Sequence, residues 1–166
     1  MDEIRTARLL LRRAQNSDLA AMHKVLSDPL AMRYWSTPPH ATLEETRRWL
    51  EDTMSAPESE SDDFIIEYRG EAIGKAGCWR VPEVGFILHS QYWGQGLARE
   101  ALSAILPRIY ERFSVPAITA DVDPRNTQCL HLLSRLGFEE TGRAARTWQV
   151  GDEWCDSVYL ARKNTR

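Results

Sequence analysis

The sequence predicts an α/β fold built on a mixed sheet, and three observations carry that expectation. Strand-like and helix-like periodicities alternate along the chain in the order β-α-α-β-β-β-α-β-α-β-β. The break Arg69-Gly70-Glu71 between two strands is short and contains glycine, which suits a tight antiparallel hairpin, and Gly151-Asp152 joins the last two strand-like runs. At 166 residues, 43% hydrophobic and 27% charged, the chain has the size and composition of one ordinary globular domain, expected to span residues 1–166.

Each element has its own reason. Residues 8–13 are strand-like, with Leu9, Leu10 and Leu11 buried on at least one side. Asn16, Ser17 and Asp18 supply helix-cap residues ahead of Leu19, Met22, Val25 and Leu26, which recur at helical spacing. A second helix starts from Thr42, or another residue just before Leu43, and runs through Met54. Glu44 and Glu45 fall in its first turn, where the helix dipole favours acids. Residues 55–63, SAPESESDD, are acidic, poor in apolar side chains and contain Pro57, so they read as a surface loop. Strands follow at 64–68, 72–79 and 84–88, the last two separated by Val81-Pro82-Glu83. Residues 94–113 form an amphipathic helix, with Leu97, Ala101, Ile105 and Ile109 in one row and Leu102 and Leu106 in the next. Within it Pro107 removes the bond to the Ser103 carbonyl and predicts a bend. Residues 117–122 are a strand. Residues 126–136 are a helix with Cys129, Leu132, Leu133 and Leu136 inward, ended by Gly137. Residues 140–150 and 154–162 give the last two strands.

Composition narrows the function. Lys and Arg number 21 against 24 Asp and Glu, a net charge of -3, so no nucleic-acid partner is expected. The longest apolar runs are a few residues, far below the ~20 of a membrane helix. Asp2 and Glu3 among arginines do not make a secretory signal. Cys78, Cys129 and Cys155 are odd in number and widely spaced, which argues against a disulfide framework or zinc site and for a reducing, cytoplasmic address. His23, His40 and His131 lack ligand spacing, so no metal is expected.

The chemistry concentrates in residues 83–100, EVGFILHSQYWGQGLARE. A strand runs into Trp93-Gly94-Gln95-Gly96-Leu97-Ala98, where a helix begins. Glycines at such a junction let a ligand approach the backbone, and consecutive amides at a helix N-terminus form an anion site suited to pyrophosphate. A plain strand–helix turn would use the same glycines. The third glycine of the dinucleotide fingerprint is missing, and so is the Gly-Lys-Ser/Thr of a P-loop. A dinucleotide oxidoreductase is thereby disfavoured.

With that loop in view, the chain resembles the GNAT superfamily of N-acetyltransferases, and within it the ribosomal-protein-alanine (RimJ/RimL-like) branch. Four segments in register carry the resemblance. W-G-Q-G-L-A followed by R-E-A-L is similar to the acyl-CoA pyrophosphate loop. Thr6-Ala7-Arg8-Leu9-Leu10-Leu11-Arg12 is similar to the branch's opening T-x-R-L-x-L-R strand. Glu83-Val84-Gly85-Phe86 resembles the family's fourth strand, and Asn126-x-x-Cys129 through Arg135-Leu136-Gly137-Phe138 its N-x-x-S…L-G-F helix. Trp93 departs from the superfamily, which opens the loop with Gln or Arg. Gln91-x-x-Gly94-x-Gly96 is an alternative register that shortens the distance from strand to loop.

The resemblance implies a mixed, mostly antiparallel, V-splayed sheet flanked by helices, with acyl-CoA in the gap between the fourth and fifth strands. It implies an acetyl-CoA-dependent N-acetyltransferase, with acetyl-CoA as co-substrate, no metal, and direct transfer to an amine acceptor in a ternary complex. Residues Trp93, Gly94, Gln95, Gly96, Leu97 and Ala98 would bind the pyrophosphate, chiefly through the amides of the last four. Backbone groups of Ile87, Leu88 and His89 would pair with the pantetheine arm, and Asn126 would contact it from the other side. Arg99 would reach a phosphate, or stand as an ordinary exposed helix arginine. The Ile87 amide would hold the developing oxyanion.

Glu83 holds the place of a general base in many of these enzymes. An α-amine near pKa ~8 is partly neutral at neutral pH, whereas a Lys amine near ~10.4 is almost wholly charged. A carboxylate, directly or through water, can accept the proton that must leave. The alternative is an exposed turn residue after Pro82. Cys129 stands where relatives use Tyr or Ser to protonate the departing thiolate, and a thiol near ~8.5 is a chemically suitable acid. The alternative is a small buried hydrophobe. Tyr34, Trp35, Trp79 and Trp148, with Trp154, fall in segments that border the acceptor cleft and predict aromatic walls there. Ribosomal-protein N-termini and small-molecule amines such as free amino acids, polyamines and antibiotics stay open as acceptors, as do monomer and homodimer. A non-catalytic acyl-CoA-binding module is the alternative function.

Overall fold

The computed structural model describes residues 2–165. Its strands are β1 (Ile4–Arg5), β2 (Leu9–Arg12), β3 (Asp62–Tyr68), β4 (Glu71–Arg80), β5 (Glu83–Leu88), β6 (Ala117–Val122), β7 (Glu139–Val150) and β8 (Glu153–Lys163). The helices are α1 (Leu19–Leu26), α2 (Leu43–Ser55), α3 (Leu97–Phe113) and α4 (Thr127–Arg135). The strands form one sheet in the order β1-β2-β3-β4-β5-β6-β8-β7. Every neighbouring pair is antiparallel except β5 and β6, which are parallel and share one pairing, Glu83 with Thr119. Beyond that pairing the two strands part, which is the V-splay expected of the fold.

Strand alternation sends side chains to two cores. Phe64 and Ile66 of β3 pack with Leu97, Leu102, Ile105 and Ile109 of α3 on one face. Ile65, between them, packs with Met22, Val25 and Leu26 of α1 and with Ile87 on the other. Thr42 caps α2 by accepting from the Glu45 amide at 3.3 Å, as its sequence suggests. Pro107 lies inside α3 without ending it. Its missing donor faces only the Ser103 carbonyl, and the buried row of α3 continues on both sides.

Two expectations are corrected, and one element is new. The acidic stretch 55–63 is not all surface loop: Asp62 and Asp63 belong to β3 and are buried. Asp62 accepts from Arg13, Arg108 and Arg112 at 2.6, 2.9 and 2.7 Å, and Asp63 from Lys75 at 2.7 Å, so ion pairing allows the burial that composition argued against. The helix expected from residue 94 begins at Leu97, because Gly94 and Gly96 both take φ +76, outside helical conformation. A short β1, unread in the sequence, pairs Ile4 and Arg5 with β2.

Candidate active site

The parting of β5 from β6 exposes backbone edges. Adjacent to the single pairing, the Thr119 amide donates to the Pro82 carbonyl, so Pro82 presents its edge to β6. Alternation gives the same side to Val84, Phe86 and Leu88. Ile87 has the opposite parity. Its carbonyl lies 2.0 Å from where a Gly74 Cβ would stand on β4, a closeness that only glycine permits. The His89 amide is also turned to β4, donating to the Ile73 carbonyl at 2.9 Å. Of the three backbone segments expected to meet the cofactor arm, Leu88 therefore has its edge in the gap, whereas Ile87 and His89 face the sheet. An oxyanion donor at Ile87 is corrected on the same ground, and Phe86 and Leu88 are the gap-facing amides.

The chain then crosses to α3. A turn at Ser90–Tyr92 follows β5. It is anchored by buried Asp28, whose carboxylate accepts from the Ser90 amide at 2.9 Å and the Leu30 amide at 3.0 Å. Burial pushes the Asp28 carboxyl up, and those hydrogen bonds with nearby His89 more than offset it, leaving the group below the usual carboxylate range. Trp93 folds back so that its indole Nε1 donates to the Leu88 carbonyl at 3.0 Å. Gly94 and Gly96 make the left-handed turns that deliver the chain to α3, with Gly96 as its N-cap.

A cavity of about 520 Å³ fills the gap. Phe86, Leu88, Gly94, Gly96, Ala98 and Asn126 are among the residues that bound it; Ile87, Trp93, Leu97 and Arg99 also line it. It includes Arg33, Arg99 and Arg125 and no carboxylate. A helix N-terminus with glycine-spaced amides in a carboxylate-free, arginine-lined cavity fits an anionic, phosphate-bearing group. Gln95 is not part of the lining; its carbonyl is turned away to Arg8, at 2.9 Å.

On the far wall, Asn126 caps α4 by accepting from the Cys129 amide at 3.2 Å, so its side-chain oxygen is committed and its amide nitrogen is left for a ligand. Cys129 lines the same cavity, yet burial pushes its thiol up to about 12. Such a thiol is a weaker acid than an unperturbed cysteine.

A second cavity, about 200 Å³, shares Arg33, Tyr34 and Trp35 with the first. It has the opposite electrostatic character, with Glu83, Asp121, Asp123 and Asp156 in its walls. Trp148 closes one side, its Nε1 donating to Asp121 at 2.9 Å. Asp123 is paired with Arg125, which stacks over Tyr34 at 5.4 Å, so an ion pair stands where the cavities meet. Burial and then the neighbouring Asp121 raise the Glu83 carboxyl above its ordinary value. Tyr34, Trp35 and Trp148 come together in the walls of this second cavity. Trp79 and Trp154 line neither cavity; they sit exposed under Arg80 and Arg146.

Sequence reasoning missed Arg33, Arg125 and Asp121. The first two had no motif to mark them. Asp121 had a faint signal, an acid one residue before the end of a predicted strand, where side chains border clefts. Among the described residues no group of His, Cys, Asp or Glu could hold a metal, and no helix is long and apolar enough to cross a membrane.

Known proteins resemble this chain in sequence and fold. The acetyltransferase (GNAT) domain family matches residues 8–139. An uncharacterized N-acetyltransferase, p20, of Bacillus licheniformis is 26% identical over 151 residues, covering 86% of this chain and 85% of the relative. The crystal structure of a GNAT-family acetyltransferase from Bacillus anthracis superposes with a TM-score of 0.83 at 26% identity, over 97% of this chain and 98% of that one. RimL, a ribosomal L7/L12 alpha-N-protein acetyltransferase solved in complex with coenzyme A, superposes with a TM-score of 0.85 at 20% identity, over 97% of each chain, and shows likeness of fold.

Proposed function

The chain belongs to the GNAT family of acetyl-CoA-dependent acetyltransferases, and from that premise we propose that it acetylates a primary amine by direct transfer in a ternary complex, as a single catalytic unit over residues 1–166. The observation that carries this reading is the pairing of two joined cavities of opposite charge, one lined by arginines and one by carboxylates. The first suits the anionic co-substrate. The second suits an amine that arrives as a cation and must lose a proton before it reacts.

Acetyl-CoA would supply a thioester. The C–N bond forms as the amine adds to the thioester carbonyl, and negative charge gathers on the carbonyl oxygen. The C–S bond then breaks, with coenzyme A leaving as the thiolate, to take a proton from water. The protein's part is to bind, orient and move a proton. The amides of Gly96, Leu97 and Ala98 hold the pyrophosphate, with Arg99 beside them. Phe86 and Leu88 pair with the arm through their gap-facing edges, and one of their amides stabilises the developing oxyanion. Asn126 touches the arm from α4. Tyr34, Trp35 and Trp148 wall the acceptor, and Glu83, made more basic by burial and by Asp121, takes its proton directly or through a water. Cys129 packs the wall of the cavity. Cys78, Cys129 and Cys155 are all free thiols, in keeping with a reducing, cytoplasmic setting.

The acceptor is a small-molecule amine or a protein N-terminus, and the enzyme works as a monomer or homodimer. Incubation with acetyl-CoA and a panel of polyamines, amino acids, aminoglycosides and N-terminal peptides tests this, read by free thiol and by the mass of one added acetyl group. Acetyl-CoA binding with no thiol release over any amine would favour the non-catalytic binding module instead.

A further inference from the structure

Two segments singled out in the sequence, T-x-R near residue 6 and R-E-A-L near residue 99, meet in space. The carboxylate of Glu100, in the first turn of α3, accepts from the Thr6 hydroxyl at 2.5 Å, the Arg8 amide at 2.9 Å and the Arg8 Nε at 2.7 Å. Burial pushes Glu100 up, and the bonds from Thr6 and Arg8 outweigh it, so the carboxyl stays ionised below its ordinary value. Arg8 reaches further. Its Nη1 donates to the Gln95 carbonyl at 2.9 Å, and its Nη2 lies 3.6 Å from where a Gly96 Cβ would stand.

A trans peptide points its carbonyl and its N–H in opposite directions. When Arg8 draws the Gln95 carbonyl to itself, the N–H of Gly96 in the same peptide is aimed the other way. Gly96 lines the first cavity and Arg8 does not, so the other way is into the cavity. The fork of one guanidinium thus spans α3 and the loop that precedes it, fixing one against the other.

We infer that Arg8 is a positioning residue for the co-substrate: braced on Glu100, it holds the Gln95–Gly96 peptide so that the Gly96 amide faces the pyrophosphate. This rests on the reading of residues 93–98 as the pyrophosphate loop. Arg8 itself touches no ligand. Its effect is confined to ligands that carry the phosphates.

Calorimetry with coenzyme A and NMR titration with pantetheine, which has the arm but no pyrophosphate, separate the possibilities for Arg8→Ala and Arg8→Lys. Coenzyme A affinity is expected to fall about tenfold or more in both, the scale of one charge-assisted hydrogen bond, with pantetheine affinity within about twofold of wild type. Lysine keeps the charge but cannot bridge Glu100 and Gln95 together. Equal loss of both ligands would mean a general structural role, and full affinity in Arg8→Lys would mean that charge alone suffices; either overturns the bracing. Unchanged coenzyme A affinity in Arg8→Ala overturns it too. If Arg8→Ala does not fold, Arg8→Lys decides. Failure of the loop reading looks different: in the wild-type protein the Gly96 and Leu97 amide resonances would then move no more with coenzyme A than with pantetheine.

Discussion

The indole of Trp148 is tied to Asp121 by a 2.9 Å hydrogen bond, which fastens the β7–β8 hairpin to the strand that parts from β5. The same Asp121 stands beside Glu83 and raises its pKa. Asp121→Asn keeps an acceptor for the indole and removes the charge. Glu83 should then titrate lower. Because the rate falls on acidification as Glu83 takes up its proton, the acidic limb of kcat/KM against pH should move to lower pH in the variant. A limb that stays put would separate Asp121 from the chemistry.

Glu83→Gln preserves shape and abolishes proton acceptance. The kcat should drop about 100-fold or more, within the ~10²–10⁴ range of general-base catalysis, with acetyl-CoA affinity little changed. The acidic limb should vanish with it. An unaltered kcat and profile would leave Glu83 as a strand-end residue.

Gly96→Val sets a β-branched residue at φ +76, a backbone conformation it resists, and places its Cβ beside the Arg8 guanidinium, so the loop that presents the amides must shift. Calorimetry should show acetyl-CoA binding weakened about tenfold or more, with circular dichroism confirming the fold. Undiminished affinity in a folded variant would move the pyrophosphate elsewhere.

Cys129→Ala should keep kcat within about threefold of wild type and lower the melting temperature by a few degrees, the cost of a small void. Cys129→Ser should be less stable than Ala, since its hydroxyl enters a desolvated site without an assured partner. The opposite pattern, a large loss of kcat in Ala regained in Ser, would make Cys129 the proton donor to the leaving thiolate after all.

Asp62 gathers Arg13, Arg108 and Arg112 from β2–α1 and α3 onto a fully buried carboxylate. Asp62→Asn should cost about 3 kcal/mol or more in urea unfolding, because it leaves clustered guanidiniums without their counter-charge. A loss below about 1 kcal/mol would show that the arginines find water or Asp2 as readily.

Where periodicity and turn chemistry agreed, the sequence was readable: residues 117–122 form a strand with the expected bounds, and the apolar row of α3 is the buried one. The glycine loop was legible for the same reason, since spacing at a strand–helix junction is local information. Asp62 and Asp63 were not, because their partners lie far along the chain and composition near them points to solvent. Backbone edge parity was also hidden. Whether Ile87 or Leu88 faces the gap depends on the pairing of β4 with β5, and no property of either side chain reports it. Tyr34 and Trp148 were recognisable as aromatics, yet only the tertiary fold separates them from Trp79.

Because β5 and β6 touch at one residue pair, a length of polypeptide edge lies open beside the arginine-lined cavity. Peptide groups are the same whatever side chains they carry. Recognition that runs through them survives almost any substitution that leaves the strand in place, whereas Glu83, Asp121, Tyr34 and Trp148 give the second cavity walls of side chains that one codon change can alter. The two cavities therefore rest on different kinds of group. The edge beside the first is backbone, held in place by a few positions such as Gly74, Gly96 and Arg8. The walls of the second are side chains that can change on an unchanged sheet.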